Sequence, residues 1–207
     1  MPDYTEAENH LRSACSTLRP VIERVGPCTL APDPDLFNVL VCSVVSQLIS
    51  TAAAKTITAR LVKALKGPIT PGRVAKRQPE ELRACGLSNA KVKSIVYLAE
   101  HFRTNKHFLR ELTAADDIAA RQMLLPLPGI GPWTVDMALM FGLARPDVLP
   151  VGDLGLRAGV RDLFDLPELP DGKSLTKLAE PWQPHRTVAT WYVWRSRGWV
   201  PQSEASA

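Results

Sequence analysis

Long apolar runs are missing from this 207-residue sequence, in which no stretch approaches the roughly eighteen uninterrupted apolar residues of a membrane-spanning helix. The first residues, Met-Pro-Asp-Tyr-Thr-Glu, also lack the basic and then apolar layout of an export signal. These absences predict a protein that has no membrane partner and works in the cytoplasm.

Cysteine is scarce, and its four occurrences are far apart and form no C-x-x-C pair. Zinc sites and iron–sulfur clusters need closely spaced thiolate ligands, so the sequence excludes both kinds of centre. We expect reduced cysteines that pack in the core, as free cysteine commonly does: Cys15, Cys28, Cys42 and Cys85.

A strong excess of one charge is also missing, since 25 Lys and Arg residues stand against 21 Asp and Glu residues, for a net charge of +4. This balance allows the binding of a polyanion but does not require it. The content of 45% hydrophobic and 22% charged residues is that of an ordinary globular protein. The length suits one sizeable domain or two packed lobes.

Strand signals are nearly absent, whereas helix signals recur along the whole chain. Thr5 and Glu8 form a T-x-x-E pattern that predicts a capped helix start, with the helix running towards Arg24. The run Val39–Val45 imitates a buried strand, but it lies in a longer helical window and has no partner strand. We predict an all-α fold, with further helices over 36–48, 52–65, 79–85, 89–101, 113–125, 133–141, 154–164 and 184–198.

The segment 127–131, Leu-Pro-Gly-Ile-Gly, forms a tight turn between two predicted helices. Its glycines allow backbone angles closed to other residues, and the amides of Gly129, Ile130 and Gly131, with the helix dipole, suit a phosphate. The hydroxyl of Thr134 would add one donor. Such contacts position a nucleic-acid backbone without choosing its sequence. The alternative is a plain helix-to-helix turn.

Four separated motifs together resemble one family in order and spacing. They are Phe37-Asn38-Val39-Leu40 through Ser50, Leu-Pro-Gly-Ile-Gly-Pro-Trp-Thr at 127–134, Leu-Pro-Val-Gly-Asp-Leu around Asp153, and Trp182-x-Pro184-x-Arg186-Thr187-x-Ala189 through Trp194. Over about residues 35–200 the sequence resembles the helix-hairpin-helix (HhH-GPD) DNA glycosylases, and among them the 3-methyladenine DNA glycosylase II branch.

The resemblance implies a compact two-lobed helical domain with a helix-hairpin-helix motif and a DNA-gripping cleft. We expect the first lobe to comprise about 1–30 and 115–200, the second about 35–112, and a loose tail 201–207. We expect the N-terminal β domain of some relatives to be absent, because the residues before Leu36 are predicted to form one helix and a loop.

The resemblance also implies that Asp153 is a catalytic aspartate, which stabilises an oxocarbenium-like transition state while water hydrolyses the glycosidic bond of an alkylated purine such as 3-methyladenine or 7-methylguanine. Asp153 also precedes a predicted helix, where it can be an N-cap, and both roles can coexist. Relatives that also cut the strand have a Schiff-base lysine at the position of Trp133, so we expect a monofunctional enzyme. We interpret three other aspartates as surface or cap residues: Asp147, Asp162 and Asp165.

An enzyme that rotates a base out of the duplex needs a pocket for it. By resemblance, Trp133 and Trp194 line this pocket, and Met137 stands where relatives often have an aromatic ring. An indole face attracts a positively charged alkylated purine. Core packing is the alternative for both tryptophans, and we interpret three others as structural: Trp182, Trp191 and Trp199.

Gln47 and Leu48 match the family wedge that fills the gap left by the rotated nucleotide, with a core leucine as the alternative for Leu48. Lys91 and Lys93 either contact phosphates or face only water.

The resemblance implies that the chemistry needs no cofactor, and the last cysteine comes too early for the iron–sulfur branch of the superfamily. It implies a monovalent cation, Na⁺ or K⁺, bound by the backbone carbonyls of Leu125, Leu127 and Ile130. The expected partner is double-stranded DNA containing alkylated bases, bound by a monomer that is nucleoid-associated if prokaryotic. The rival hypothesis is a catalytically silent helix-hairpin-helix DNA-binding or repair scaffold.

Overall fold

The structure is a computed structural model that describes residues 2–198, and these residues form helices, turns and loops without a strand. The all-α prediction is confirmed. Trp199 and the tail 201–207 lie outside the described residues. No helix in the described part is both long and apolar enough to cross a membrane. The α-helices are α1 (Thr5–Ala14), α2 (Arg19–Val25), α3 (Leu36–Ser46), α4 (Thr51–Leu65), α5 (Pro71–Val74), α6 (Pro79–Ala84), α7 (Asn89–Thr104), α8 (Phe108–Ala114), α9 (Asp117–Leu124), α10 (Pro132–Met137), α11 (Leu154–Leu163), α12 (Gly172–Leu178) and α13 (Arg186–Ser196), with a π-helix at Ala138–Gly142 and a 3₁₀ helix at Glu180–Trp182.

Short polar side chains at the N-cap fix many of the helix starts. Asp35, Ser50 and Ser88 each accept a hydrogen bond from the amide three residues later, at 3.1, 3.2 and 3.3 Å. Each bond satisfies one of the N–H groups that a first helical turn leaves without an intrahelical partner. The predicted helix starts at Leu36 and Asn89 are confirmed.

The N-terminal helix differs from its prediction in two ways. Thr5 is already helical, and the Glu8 carboxylate turns inward to accept hydrogen bonds from the Cys28 amide at 2.7 Å and the Tyr192 hydroxyl at 3.0 Å. The predicted capping box is therefore wrong. The single helix predicted towards Arg24 is also wrong, because the chain breaks after Ala14 and restarts beside Pro20, which cannot donate a helical hydrogen bond.

The β-branched run Val39–Val45 lies inside α3, as predicted. Most residues of this helix are buried, and α4, α7, α10 and the π-helix pack around it. A helix that is apolar on all sides is a core helix, so the valine content reflects burial rather than a strand.

The chain divides into two compact units. Unit 1 comprises Met1–Pro32 and Ala144–Ala207, and unit 2 comprises Asp33–Leu143. Within unit 1, α13 packs against α2 and α11; within unit 2, α3 is the central helix. Residues 115–143, which we expected in the first lobe, lie in unit 2, because α10 and the π-helix pack on α3.

Candidate active site and nucleic-acid interface

Asp153 is held in place by two hydrogen-bond donors within unit 1. It is the N-cap of α11, and its Oδ1 accepts a hydrogen bond from the Leu156 amide at 2.6 Å. The same oxygen accepts a second bond from the indole Nε1 of Trp194 at 2.9 Å. The side chain is only partly buried. An N-capping role and an exposed, oriented carboxylate thus coexist in one residue.

Two glycines of α11 leave room for Asp153 and for α13, which carries Trp194. A Cβ at Gly159 would overlap the side chain of Val193, whereas a Cβ at Gly155 would make ordinary contact with the Trp194 indole at 3.6 Å but would crowd Asp153 Oδ1 at 3.2 Å. The glycines are four residues apart and therefore lie on the same face of α11. This close packing brings the indole within reach of the carboxylate.

Trp194 is 3% exposed. Its contact with Asp153 was not part of our prediction, which gave it the role of stacking against the base; that role stays a prediction. The observed contact makes Trp194 a positioning residue for the carboxylate.

Hydrogen bonds and an ion pair join the segment before Asp153 to the start of α13. The Arg186 guanidinium donates to both carboxylate oxygens of Asp147, from Nε at 2.7 Å and from Nη2 at 2.8 Å. Asp147 also accepts a hydrogen bond from the Arg186 amide at 3.2 Å. The Thr187 hydroxyl donates to the Arg145 carbonyl at 2.7 Å and accepts the Val148 amide at 3.0 Å. Asp147 therefore caps the first turn of α13 from a position distant in the sequence. The Arg186-Thr187 pair of the fourth motif is the sequence feature that could have indicated this contact.

The other residues interpreted as structural are placed as expected. Trp182 and Trp191 are buried, at 0% and 1% exposure. Asp162 and Asp165 are exposed, and Asp162 pairs with Arg161 at 2.7 Å.

The hairpin turn in unit 2 needs only one of its two glycines. Gly129 has a φ of +79°, and a Cβ there would overlap the Ser94 side chain of α7. Gly131 has a φ of −98°, and no atom lies within 4 Å of its built Cβ, so the prediction of special backbone angles at this glycine is wrong. The Ile130 amide donates to the Leu127 carbonyl at 3.0 Å, and it therefore closes the turn rather than facing outward.

Thr134 differs from its predicted place at the surface. Its side chain is buried, at 1% exposure, and its hydroxyl oxygen accepts a hydrogen bond from Gln47 Nε2 at 2.9 Å. The same Gln47 nitrogen donates to the Gly129 carbonyl at 3.0 Å. The predicted phosphate contact of the hydroxyl is therefore replaced by a link between the hairpin and the loop that precedes α4.

Leu48 is fully exposed and lies at the tip of the loop between α3 and α4. Its φ of +58° falls in the left-handed region, which costs a non-glycine residue about 1–2 kcal/mol. The alternative of a core leucine is wrong. A strained, outward-pointing leucine is typical of a functional contact rather than of packing.

The predicted pocket residues of unit 2 lie on one face of the helix that follows the hairpin. Trp133 is half-buried and Met137 is 4% exposed, and a spacing of four residues aligns their side chains.

The predicted cation ligands are the backbone carbonyls of Leu125, Leu127 and Ile130. The Leu127 carbonyl already accepts a hydrogen bond from the Ile130 amide within the turn. The cation site stays a prediction, and no cluster of three or more metal-binding side chains occurs among residues 2–198.

Lys91 has a place that the sequence did not indicate. Its ammonium donates to the carbonyls of Val45 and Gln47, at 2.8 Å each, and burial lowers its pKa. Lys93, two residues further along α7, is exposed. The two lysines that the sequence treated alike therefore differ, and Lys91 holds the backbone on both sides of Ser46.

Comparison with known proteins identifies the class. The family model of the HhH-GPD superfamily of base excision DNA repair proteins matches residues 41–184. The chain is 30% identical over 200 residues to the alkylbase DNA glycosidase-like protein mag2 of Schizosaccharomyces pombe, covering 93% of each chain. It is 32% identical over 200 residues to DNA-3-methyladenine glycosylase 1 of the same organism, covering 93% of this chain and 87% of that protein. The chain belongs to the HhH-GPD superfamily.

Solved structures agree with this assignment. The S. pombe 3-methyladenine DNA glycosylase Mag1, in complex with abasic DNA, superimposes with a TM-score of 0.84 at 30% identity, covering 95% of this chain and 98% of that one. A DNA-3-methyladenine glycosidase from Bacillus halodurans superimposes with a TM-score of 0.75 at 34% identity, covering 93% and 89%. The fold of this family is thus shared over nearly the whole length of both relatives.

Proposed function

We propose that this chain is a DNA glycosylase that removes alkylated purines, of the 3-methyladenine and 7-methylguanine type, from duplex DNA. The observation that carries the proposal is the partly exposed Asp153 carboxylate, oriented by the Leu156 amide and the Trp194 indole. Family membership and the names of the similar proteins, which describe 3-methyladenine glycosylases, support this substrate class.

The alkylated base explains why one carboxylate suffices. Alkylation at N3 or N7 gives the purine a positive charge, so its bond to the sugar C1′ breaks with the electron pair leaving on the base, which departs neutral. Positive charge then develops on the sugar, where a carboxylate stabilises it. Water adds to C1′ and gives up a proton to Asp153, which leaves an abasic site.

The residues of unit 2 supply the contacts with DNA in this proposal. Leu48 enters the duplex and fills the gap left by the rotated nucleotide, as apolar wedges do in other DNA-bending proteins. The half-buried Trp133 offers an indole face to the cationic base, an attraction of about 0.5–2 kcal/mol. Because position 133 holds a tryptophan and no lysine, no Schiff base forms there and the strand stays intact.

The substitution Asp153→Asn tests the proposal on methylated duplex DNA. Asparagine is as good an N-cap as aspartate, and its side-chain oxygen can still accept from Trp194, so the fold is retained. Loss of the charge should lower base release at least about 100-fold. The measurement is free alkylated base, together with abasic sites revealed by alkali.

Asp171→Asn is a matched control, because Asp171 is the exposed N-cap of α12 and accepts the Ser174 amide at 2.8 Å. It should leave base release unchanged. Release by neither the natural chain nor the Asp153 variant would favour a silent DNA-binding scaffold. Equal release by both would overturn the role of the carboxylate, and strand breaks without alkali would overturn the monofunctional assignment.

A further inference from the structure

The loop between α3 and α4 holds Leu48 in a conformation that an isolated chain would avoid. Leu48 combines a φ of +58° with full exposure, so its side chain gains nothing from burial that could offset the backbone strain. The loop's own hydrogen bonds are long: the Gln47 amide reaches Val44 and the Ile49 amide reaches Ser46, both at 3.4 Å. Contacts from outside the loop must therefore stabilise this conformation of Leu48.

Lys91 meets this requirement from the first turn of α7. Its ammonium lies 2.8 Å from the carbonyls of Val45 and Gln47, which are at the C-terminal end of α3. The last carbonyls of a helix lack intrahelical donors and form the negative end of its dipole, so an ammonium binds there favourably. The Gln47 carbonyl directly precedes Leu48, and fixing it limits rotation of the backbone that aims the leucine.

A second anchor acts on the same residue from another side. The Gln47 side chain donates to the Gly129 carbonyl and the Thr134 hydroxyl, at 3.0 and 2.9 Å. Gln47 is thus fixed by its main chain to α7 and by its side chain to the hairpin. With both anchors present, the direction of the next residue is set before DNA arrives.

We propose that Lys91 is a positioning residue that preorganises Leu48 as the wedge, an inference that rests on the proposed function. Its ammonium contacts backbone rather than phosphate. Binding then spends less free energy on ordering the loop. Lys91 should therefore contribute to base release from a duplex, where the wedge must fill a gap, and not to release from a single strand.

The experiment compares Lys91→Met with the natural chain under single-turnover conditions, on one alkylated base in a duplex and in a single strand. Methionine keeps an unbranched apolar stem but donates no hydrogen bond. We expect about a tenfold loss of base release from the duplex and little loss from the single strand, because a misdirected wedge affects only the flipping step. Lys91→Arg keeps the charge and donors and should restore duplex release.

Two controls separate this role from a structural one. Lys63→Met removes an exposed lysine of α4 to which no DNA contact is assigned and should behave as the natural chain. In a Leu48→Ala background, Lys91→Met should cause little further loss, because residues that act through one another are not additive. Equal losses on both substrates, or full additivity with Leu48→Ala, would overturn the inference. Absence of base release from the duplex by the natural chain would instead overturn the proposed function.

Discussion

At the scale of single residues, one carboxylate oxygen serves two purposes. Asp153 Oδ1 closes the first turn of α11 through the Leu156 amide and receives the indole N–H of Trp194. The position of the acid therefore depends on the backbone of one helix and the side chain of another. In the proposed reaction, a shift of either would displace the group that stabilises the sugar.

Replacing Trp194 by phenylalanine tests this dependence. Trp194→Phe removes the donor and keeps an aromatic ring, so we expect about a tenfold loss of base release, since hydrogen bonds to charged groups contribute about 1.5–3 kcal/mol. The smaller ring should also lower the free energy of unfolding by about 1–2 kcal/mol. Single-turnover base release and urea unfolding measure the two effects.

Trp182→Phe is the matched control, because the buried indole N–H of Trp182 has no hydrogen-bond partner within the described part of the chain. It should lower the free energy of unfolding. Base release, measured under conditions where the variant is fully folded, should fall much less than in Trp194→Phe. Equal losses of release in both variants would mean that Trp194 acts only through packing.

The residues of the site were accessible to sequence reasoning to different degrees. The motif around Asp153 pointed to a functional carboxylate, and the Gln47-Leu48 pair pointed to a wedge. The partners of these residues were not predictable, because contacts such as Trp194 to Asp153, or Lys91 to Val45, join positions 41 and 46 residues apart. A pattern of local residue types carries no information on such pairing.

At the scale of elements, the hairpin shows how the same residue type has unequal roles. Gly129→Ala should lower the free energy of unfolding by at least about 2 kcal/mol, because its φ is positive and its new Cβ would overlap Ser94. Gly131→Ala is the matched control, with an ordinary φ and open space around the Cβ, and should change stability little. Urea unfolding of both variants measures the difference; equal effects would contradict this reading of the turn.

Helix boundaries followed the sequence where a capping side chain marked them and departed from it elsewhere. The helices α3 and α7 begin where predicted, directly after the N-caps Asp35 and Ser88. The short helices α5 and α8 were not predicted, because four to seven residues give too little periodicity to recognise. The break after Ala14 has a local signal that the prediction passed over, Pro20, which lacks the N–H that a continuous helix would need there.

At the scale of the whole molecule, unit 1 is assembled from both ends of the sequence. The described residues 2–32 and 144–198 form one packed body. Glu8 of α1 and Tyr192 of α13 form one of its long-range connections, since the one hydrogen of the Tyr192 hydroxyl is shared between two acceptors, the Glu8 carboxylate at 3.0 Å and the Gly26 carbonyl at 2.9 Å. Burial and the Glu8 charge raise the pKa of Tyr192, so its hydroxyl stays protonated as a donor.

Tyr192→Phe therefore removes a donor that links the two ends of the chain. The buried Glu8 carboxylate loses one of its partners, and we expect the free energy of unfolding to fall by about 1–3 kcal/mol. Tyr97→Phe, at a 44% exposed tyrosine of α7, should change it by less than about 0.5 kcal/mol. Because α13 also carries Trp194, thermal unfolding of the Tyr192 variant should be followed together with base release below its transition. Unchanged stability would show that packing of α1 and α2, rather than this buried hydrogen bond, holds the N-terminal segment on unit 1.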